Sequence, residues 1–146
     1  MMKVQDIMTK PAIHISPREN VEVAARILQK HNIGALPVCD AQGKLCGMVT
    51  DRDLVTRCMA AGRSPAQTLV QEVMTRQVTA VQPDMETGVA AHLMGRLQIR
   101  RLPVTENGHI AGMISLGDLS KTEGSVLDAA DALTDICSNI SPGGTW

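Results

Sequence analysis

The stretch Gly47–Asp53, with the sequence GMVTDRD, returns further along the chain at Gly112–Asp118 as GMISLGD. Each copy is an apolar run that ends in a hydroxyl residue, with an aspartate three positions later. A strand that leads into a helix has this pattern, because Thr and Ser are preferred N-caps and an acidic residue suits the first helical turn. Two such copies in one chain predict an internal repeat, and the extent of that repeat decides the fold.

The repeat extends well beyond these two stretches. IGALPV at 33–38 returns as IRRLPV at 99–104, and VQDIMTK at 4–10 returns as VQEVMTR at 70–76. The copies are offset by 66 residues up to position 38 and by 65 from position 47 onward. One residue is therefore missing from the second copy, in the region where each copy is expected to turn between two strands.

Turn chemistry accounts for the missing residue. Asp40–Lys44 suits a three-residue hairpin loop with Gly43 in the left-handed conformation, whereas Asn107-Gly108 suits a two-residue type I′ turn. The expected opposite pairs are Val38 with Cys46 in the first hairpin and Val104 with Ala111 in the second.

Each copy is predicted to form a short strand, a helix, a β-hairpin and a second helix, in that order. The periodicity of apolar residues separates the helices from the strands. One copy of about 60 residues buries little apolar surface, so the two copies are expected to bury their apolar faces together. The predicted elements are strands at 12–15 and 78–81, a helix at 21–31 with Ala24, Ile27, Leu28 and His31 at helical spacing, hairpin strands at 36–39 and 45–49, and a helix from about Asp51 to Gly62.

The chain is therefore expected to divide into two repeats and a tail. The boundaries are 1–62 for the first repeat, 63–69 for a linker with a turn at Ser64-Pro65, and 70–121 for the second repeat. Residues 122–146 are predicted to form a C-terminal helix and a frayed tail at 141–146. This helix begins with a capping box at Ser125 and carries Val126, Ala130, Leu133 and Cys137 along one side.

Composition argues against several classes of function. A net charge of −1 with 44% hydrophobic and 20% charged residues is typical of a globular protein without strong attraction to nucleic acid or anionic membranes. One Trp, with no Tyr or Phe, leaves few rings on which single-stranded bases could stack. The sequence has no signal-peptide core and no run near the ~20 apolar residues of a membrane span, so we expect a cytoplasmic protein.

The reactive side chains form no catalytic or metal-binding pattern. The four cysteines include no CxxC motif, and the four histidines share no ligand spacing. The expected hairpin register places the side chains of Cys39 and Cys46 on opposite faces, which predicts four free thiols. Since no Ser–His or Cys–His arrangement is evident either, we expect neither a metal site nor an enzyme.

The Thr/Ser-x-x-Asp segments have two interpretations that do not exclude each other. In the structural interpretation, the hydroxyl and the carboxylate satisfy free backbone donors at the start of a helix. In the functional interpretation, free N–H groups and a hydroxyl attract phosphate, while the carboxylate accepts hydrogen bonds from a ribose diol. Hydroxyl and carboxylate together suit a nucleoside phosphate better than a bare anion.

The ordered set of motifs, present twice, resembles the CBS domain pair, or Bateman module. The resemblance rests on the repeated LPV strand and the repeated Gly-apolar-apolar-Thr/Ser-x-x-Asp segment, and it covers residues 4 to about 120. It implies an α+β fold of tandem β-α-β-β-α repeats that form one pseudo-twofold CBS domain pair with two clefts. The family's usual ligands are AMP, ADP, ATP, S-adenosylmethionine or related adenosyl compounds, which act as regulatory ligands and not as tightly bound cofactors.

The resemblance also implies which residues line each cleft. One repeat supplies the Thr/Ser-x-x-Asp segment, and the other supplies its first strand and the entry to its LPV strand. The aspartate holds the ribose, and aliphatic side chains enclose the adenine. The first implied site comprises Met48, Thr50, Arg52, Asp53, Thr79, Ile99, Arg100 and Arg101. The second implied site comprises Ile13, Ile33, Gly34, Ala35, Met113, Ser115 and Asp118.

The two implied sites differ in charge. Arg52, Arg100 and Arg101 belong to the first site, and arginine is a natural bidentate ligand for phosphate. A solvated strand entry is the alternative explanation for Arg100 and Arg101. The second site has no arginine, so it is expected to bind phosphorylated ligands more weakly.

The expected function is that of a regulatory module that senses an adenine nucleotide or a related compound. It would signal to an effector protein by conformational change or by rearrangement of a homodimer, with pairing through Leu54, Val55 and Cys58. The alternative is a ligand-free CBS module that serves only dimerisation or docking to a partner protein.

Overall fold

The computed structural model describes residues 2–121 and 126–138, and this part of the chain has the expected α+β fold with a two-stranded sheet in each repeat. The capping box predicted at Ser125 and the frayed tail predicted at 141–146 lie outside the described residues. The strands are β1 (Ala35–Cys39), β2 (Leu45–Thr50), β3 (Arg101–Glu106) and β4 (His109–Ser115). The helices are α1 (Val4–Ile7), α2 (Val21–His31), α3 (Asp51–Asp53), α4 (Val70–Val73), α5 (Thr87–Leu97), α6 (Leu116–Ser120) and α7 (Val126–Ser138).

The chain forms two compact units whose boundaries differ from those of the sequence repeats. The first unit comprises Ala12–Thr79 with Asn107–Ile110. The second unit comprises the described residues up to Pro11, Ala80–Glu106 and the described residues from Ala111 onward. The segment that begins each repeat, with the one-turn helix α1 or α4, therefore belongs to the unit that contains the other repeat.

Backbone hydrogen bonds hold these leading segments in place, and they are equivalent between the repeats. The donors are the first residues of α1 and α4, whose N–H groups have no partner within the helix. In the second unit Val4 N donates to Met85 O at 2.8 Å, and in the first unit Val70 N donates to Glu19 O at 2.8 Å. The sequence predicted no helix in these segments. The 66-residue offset of the repeat nevertheless separates the two donors, and it also separates the two acceptors.

Helix α2 begins and ends where the sequence predicted. The side chain of Asn20 caps its first turn by accepting a backbone hydrogen bond at 2.9 Å, and Asn32 ends it in the left-handed conformation with φ of 51°. Ala24 and Leu28 are buried as their spacing predicted. His31 is exposed, because it lies in the last turn beside the exposed C-cap.

Both hairpin turns confirm the predicted turn chemistry. Gly43 has φ of +84° in the first turn, where the Asp40 carboxylate accepts backbone hydrogen bonds from Gln42 and Lys44. In the second turn, Asn107 and Gly108 have φ values of 54° and 80°, the two positive values that a type I′ turn requires.

The predicted register of the first hairpin is wrong by one residue. Cys39 lies opposite Leu45, but Val38 lies opposite Gly47 and not opposite Cys46. A β-bulge makes Cys46 the extra residue of β2, and its thiol donates to the Val38 carbonyl oxygen at 3.2 Å. The prediction assumed an unbroken ladder, so the argument that placed Cys39 and Cys46 on opposite faces no longer applies.

The strands predicted at 12–15 and 78–81 are each reduced to a single paired residue. Ile15 pairs in parallel with Val38, and Val81 pairs in the same way with Val104. On the partner strand, Pro37 precedes Val38 and has no N–H to donate to the Ile13 carbonyl oxygen, so the pairing cannot extend back toward Ala12.

The helix predicted from Asp51 to Gly62 begins at Asp51 but changes its winding. Helix α3 continues directly as a π-helix over Leu54–Met59, and Gly62 follows with φ of +71°, in agreement with the predicted end. Cys58 is 1% exposed within the core, so it is not part of a surface stripe. The exposed apolar side chains of this helix are Val55 and Met59 instead.

Helix α7 buries a different face from the one predicted. Ala132 and Ile136 are buried, whereas Ala130, Leu133 and Cys137 are exposed. Gly95 of α5 lies against this side, where an added Cβ atom would be 3.3 Å from the Cα atom of Ala132. The sequence offers two apolar stripes on α7, and packing against α5 selects one of them. The side chain of Val126 lies outside the described part of the chain.

Each unit has its own apolar core, and many of the core positions are equivalent in the two repeats. The first core contains Ile15, Val21, Ala24, Leu28, Leu36, Val38, Val49, Cys58, Val70, Val73 and Met74. The second contains Val4, Val81, Ala90, Ala91, Met94, Leu102, Val104, Ile114, Leu119 and Ala132.

None of the described helices has the length and hydrophobicity needed to cross a lipid bilayer.

Candidate functional site

A reciprocal capping box closes the start of α3. Asp53 N donates to Thr50 Oγ1 at 3.0 Å, and Thr50 N donates to Asp53 Oδ2 at 3.0 Å. The structural interpretation of the first Thr/Ser-x-x-Asp segment is therefore confirmed. An ionised carboxylate has about four lone-pair sites, so the capping role leaves Asp53 with further capacity to accept hydrogen bonds.

The second repeat builds the same box at the start of α6. Asp118 N donates to Ser115 Oγ at 3.1 Å, and Ser115 N donates to Asp118 Oδ2 at 2.9 Å. The box with Ser therefore has the same hydrogen-bond partners as the box with Thr, and the distances differ by no more than 0.1 Å. The two boxes hold a hydroxyl and a carboxylate in the same arrangement, once in each unit.

The entry to β1 lies beside the first box. Ala35 pairs directly with Thr50, and Asp51 N donates to the Gly34 carbonyl oxygen at 3.0 Å. In the second unit the equivalent bond joins Leu116 N to the Arg100 carbonyl oxygen, also at 3.0 Å. The strand entry and the capping box of each repeat therefore share one end of that repeat's hairpin.

Each implied methionine is fixed by the leading segment in its own unit. Met48 exchanges two backbone hydrogen bonds with Thr75, at 2.9 and 2.8 Å. Met113 exchanges two with Thr9, at 3.0 and 2.8 Å. Both methionines are half-buried, so part of each side chain remains available to contact a ligand.

The residues assigned to each implied cleft are divided between the two units. Their assembly into clefts is a prediction from the family resemblance. In the first unit lie Met48, Thr50, Arg52, Asp53 and Thr79 from the first implied site, and Ile13, Ile33, Gly34 and Ala35 from the second. In the second unit lie Ile99, Arg100 and Arg101 from the first implied site, and Met113, Ser115 and Asp118 from the second.

The residues of the implied sites differ in exposure. Arg52, Arg100, Arg101 and Thr79 are exposed, and Ile13 is 37% exposed although it is large and apolar. Among the charged residues of the implied sites, Asp53 is the most buried, at 8% exposure. An exposed arginine has room to reach a phosphate, whereas a buried carboxylate is held in place by its surroundings.

Arg57 is a contact of Asp53 that sequence analysis missed. Its Nε atom lies 3.7 Å from Asp53 Oδ1, and its Nη1 atom donates to the carbonyl oxygens of Val73 and Met74 at 3.4 and 3.2 Å. The signal in the sequence was the i,i+4 spacing of an acidic and a basic residue on one helix.

The cysteines of the first hairpin are poor nucleophiles. Burial raises the pKa of the Cys39 thiol from 9.0 to about 11, with smaller contributions from Cys46 and Asp40. Burial also raises the pKa of Cys46, with Asp40 acting in the same direction and Arg76 against it. Both thiols are therefore protonated at neutral pH. Within the described residues, no group of three or more His, Cys, Asp or Glu side chains is placed to hold a metal ion.

An open groove of about 770 Å³ lies elsewhere in the first unit. His14, Arg18, Asp40 and Gln71 are among the residues that line it. None of the residues of the implied sites is among its lining residues, so this groove is separate from the capping boxes.

The sequence profile of the CBS domain matches residues 4–60 and 70–125. Among curated proteins, the CBS domain-containing protein YhcV of Bacillus subtilis is 41% identical over 136 residues, which cover 93% of this chain and 96% of YhcV. Among solved structures, the CBS domain pair of protein MJ0100 in complex with 5′-methylthioadenosine and S-adenosylmethionine is 31% identical, with a TM-score of 0.74. That match covers 85% of this chain and 97% of the other.

A second solved structure, Hypoxic Response Protein I with two coordinated zinc ions, is 29% identical with a TM-score of 0.76 and covers 82% of this chain and 98% of that one. Each profile match overlaps one of the two sequence repeats and contains one capping box. The chain belongs to the CBS domain family and carries two CBS repeats.

Proposed function

We propose that this chain is a regulatory module that binds an adenosyl compound and catalyses no reaction. The observation that carries the proposal is the pair of capping boxes, which place a hydroxyl beside a carboxylate at equivalent positions of two CBS repeats. The complex of the MJ0100 CBS pair with two adenosyl compounds supports it.

The carboxylate is the group that selects a nucleoside. Asp53 Oδ2 accepts from Thr50 N, and the lone pairs left over can accept from the two hydroxyls of a ribose. Because Asp53 is 8% exposed and held by its own helix, little side-chain freedom is lost when a ligand binds. In the second repeat, Asp118 has the same bond to Ser115 N.

Exposed arginines favour a phosphorylated ligand at the first site. Arg52 adjoins the first box in sequence, and Arg100 and Arg101 belong to the residues that the family pattern assigns to the same cleft. A charge-assisted hydrogen bond to phosphate contributes about 1.5–3 kcal/mol, which corresponds to roughly ten- to hundredfold in affinity. We therefore propose AMP, ADP or ATP for the first site, and a ligand with less negative charge, such as S-adenosylmethionine, for the second.

A second function is favoured by the exposed apolar residues of the π-helix. Val55 is 51% exposed and Met59 is 70% exposed, and such residues are typical of a surface that pairs with another protein. A homodimer formed through this face would be compatible with ligand sensing, in which the ligand changes the dimer. It would also serve a module that binds no ligand and docks to an effector.

A thermal-shift panel distinguishes the two functions. The purified chain is melted with AMP, ATP, S-adenosylmethionine and 5′-methylthioadenosine at millimolar concentration, with ribose 5-phosphate as the control that lacks adenine. A ligand at 100 times its Kd stabilises the folded state by about 2.7 kcal/mol, so a bound compound raises the Tm by several degrees. An unchanged Tm with every adenosyl compound would favour the docking module.

A further inference from the structure

The guanidinium of Arg57 touches two parts of the first unit that are distant in sequence. On one side its Nε atom faces Asp53 Oδ1 at 3.7 Å, one helical turn away. On the other side its Nη1 atom donates to the carbonyl oxygens of Val73 and Met74, at 3.4 and 3.2 Å. Different nitrogens make the two contacts, so the planar fork of arginine fits both at once.

The carbonyl acceptors lie at the C-terminal end of α4. The last carbonyl groups of a helix have no partner within it, and they carry the negative end of the helix dipole. A positive guanidinium satisfies both requirements. The Arg57 side chain is 52% exposed, so its position depends on these contacts and not on enclosure by the core.

The same segment fixes a second residue of the implied ligand site. Directly after Met74, Thr75 exchanges two backbone hydrogen bonds with Met48 of β2. The segment Val70–Thr75 therefore contacts the Asp53 carboxylate through Arg57 and contacts Met48 through Thr75. From Thr75 the chain continues to Ala80, where it enters the second unit.

We propose that Arg57 is a positioning residue that couples the Asp53 carboxylate to the segment Val70–Thr75. A ligand that donates hydrogen bonds to Asp53 competes with Arg57 for the carboxylate, and the change reaches the carbonyl groups of Val73 and Met74. The ligand part of this inference rests on the proposed function, whereas the coupling between Asp53 and Arg57 does not. The second repeat has Thr122 at the position equivalent to Arg57, and a threonine has no charge to pair with an aspartate.

A double-mutant cycle without ligand tests the coupling. The backbone amides of Met48 and Thr75 report on the segment by hydrogen exchange, because each donates across the Met48–Thr75 pair. Asp53→Asn keeps an oxygen that can accept from Thr50 N but removes the charge. We expect Arg57→Gln to raise the exchange rates of both amides roughly three- to tenfold and Asp53→Asn to raise them less.

In the double variant, Asp53→Asn should add nothing to Arg57→Gln, because the effect of Asp53 passes through Arg57. Two independent, additive effects, or unchanged exchange in Arg57→Gln, would overturn the coupling. Arg57→Lys keeps the charge on a single nitrogen and should resemble Arg57→Gln. Circular dichroism confirms that each variant is folded.

Arg63→Gln is the matched control. Arg63, which follows the π-helix, also contacts α4, since its Nη2 atom lies 2.5 Å from Glu72 Oε1, but it pairs with Glu72 and not with Asp53. Removing it should leave the effect of Asp53→Asn intact. If Arg63→Gln abolishes that effect as Arg57→Gln does, general loosening of α4 explains the data and the coupling is wrong.

The ligand arm repeats the exchange measurement with AMP, S-adenosylmethionine and 5′-methylthioadenosine. Ligand should change the exchange of Met48 and Thr75 in the wild type and in Arg63→Gln, but not in Arg57→Gln. The same ligand-dependent change in Arg57→Gln would overturn the inference. If the wild type binds none of the compounds, the proposed function fails, and the cycle without ligand still decides whether Arg57 couples Asp53 to Val70–Thr75.

Discussion

Gly47 lies so close to the backbone of Thr75 that any larger side chain would collide with it. A Cβ atom added at Gly47 would be 2.8 Å from the Thr75 carbonyl oxygen. The equivalent atom at Gly112 would be 2.7 Å from the Thr9 carbonyl oxygen. Each GM-apolar-Thr/Ser motif therefore begins with glycine because the leading segment packs directly against the hairpin at that position.

The first prediction concerns these glycines. Gly47→Ala and Gly112→Ala should each lower the free energy of unfolding by about 1–3 kcal/mol, because the clash is with backbone and cannot be relieved by a rotamer change. Gly117→Ala is the control, since its Cβ atom would be 3.5 Å from Ser115 Oγ in ordinary contact. Urea denaturation gives the values. Equal stability of Gly47→Ala and Gly117→Ala would show that the leading segment does not pack as described.

The second prediction concerns the capping boxes. Thr50→Ala and Ser115→Ala each remove the hydroxyl that accepts a hydrogen bond from the backbone N–H of the aspartate three residues later. Each change should lower the free energy of unfolding by about 1 kcal/mol. Thr56→Ala is the control, because its hydroxyl donates to the Arg52 carbonyl within the helix and caps nothing. Thermal or chemical denaturation measures the difference. A cost for Thr56→Ala as large as that for Thr50→Ala would argue against a specific capping role.

The sequence was sufficient to predict the repeat, the bounds of α2 and both turns, because these depend on local chemistry. Asn-Gly and the Asp40–Gly43 loop favour few turn conformations, and the spacing of apolar residues in α2 predicts a helix and not a strand. The β-bulge at Cys46, the buried face of α7 and the grouping of α1 with the second repeat depend on contacts between distant residues. Sequence periodicity carries no information on those contacts.

In the candidate site too, the sequence predicted the residues that depend on local chemistry and missed one that depends on distant contacts. Thr50 and Asp53 could be predicted because their spacing is a local signal for a helix start. Arg57 was missed, since an i,i+4 pair of opposite charge is common on exposed helices and its carbonyl partners lie 16 and 17 residues away. Only the fold brings the end of α4 to the side of the π-helix.

The third prediction concerns the thiols. Iodoacetamide at pH 8 should modify the exposed Cys137 first and Cys46 more slowly, while Cys39 and Cys58 react last. Cys39 is protected by burial and by its pKa of about 11, which keeps the unreactive thiol form at this pH. Mass spectrometry follows the order of modification. After denaturation without reductant all four should be modified. A Cys39–Cys46 disulfide would contradict the free thiols, and early labelling of Cys39 would contradict its burial.

The fourth prediction concerns assembly. We expect the chain to form a homodimer through the face that carries Val55 and Met59, so light scattering at tens of micromolar should give the mass of two chains. Val55→Glu should shift the population toward monomer, because it places a charge in an apolar contact. Gln42→Glu adds the same charge in the first hairpin turn and should leave the dimer intact. A monomeric wild type would exclude this dimer.

The central claim is that the Thr/Ser-x-x-Asp boxes bind adenosyl compounds, and titration calorimetry with AMP tests it most directly. The wild type should bind, and Asp53→Asn and Arg101→Ala should each weaken the tighter event roughly ten- to hundredfold, the expected cost of a charge-assisted hydrogen bond. Asp118→Asn should leave that event nearly unchanged, and added salt should weaken it because it depends on arginine–phosphate pairing. Loss of the tight event in Asp118→Asn with Asp53→Asn unaffected would contradict the assignment of the sites. No heat of binding from AMP, ATP, S-adenosylmethionine or 5′-methylthioadenosine with the folded wild type would contradict the claim itself.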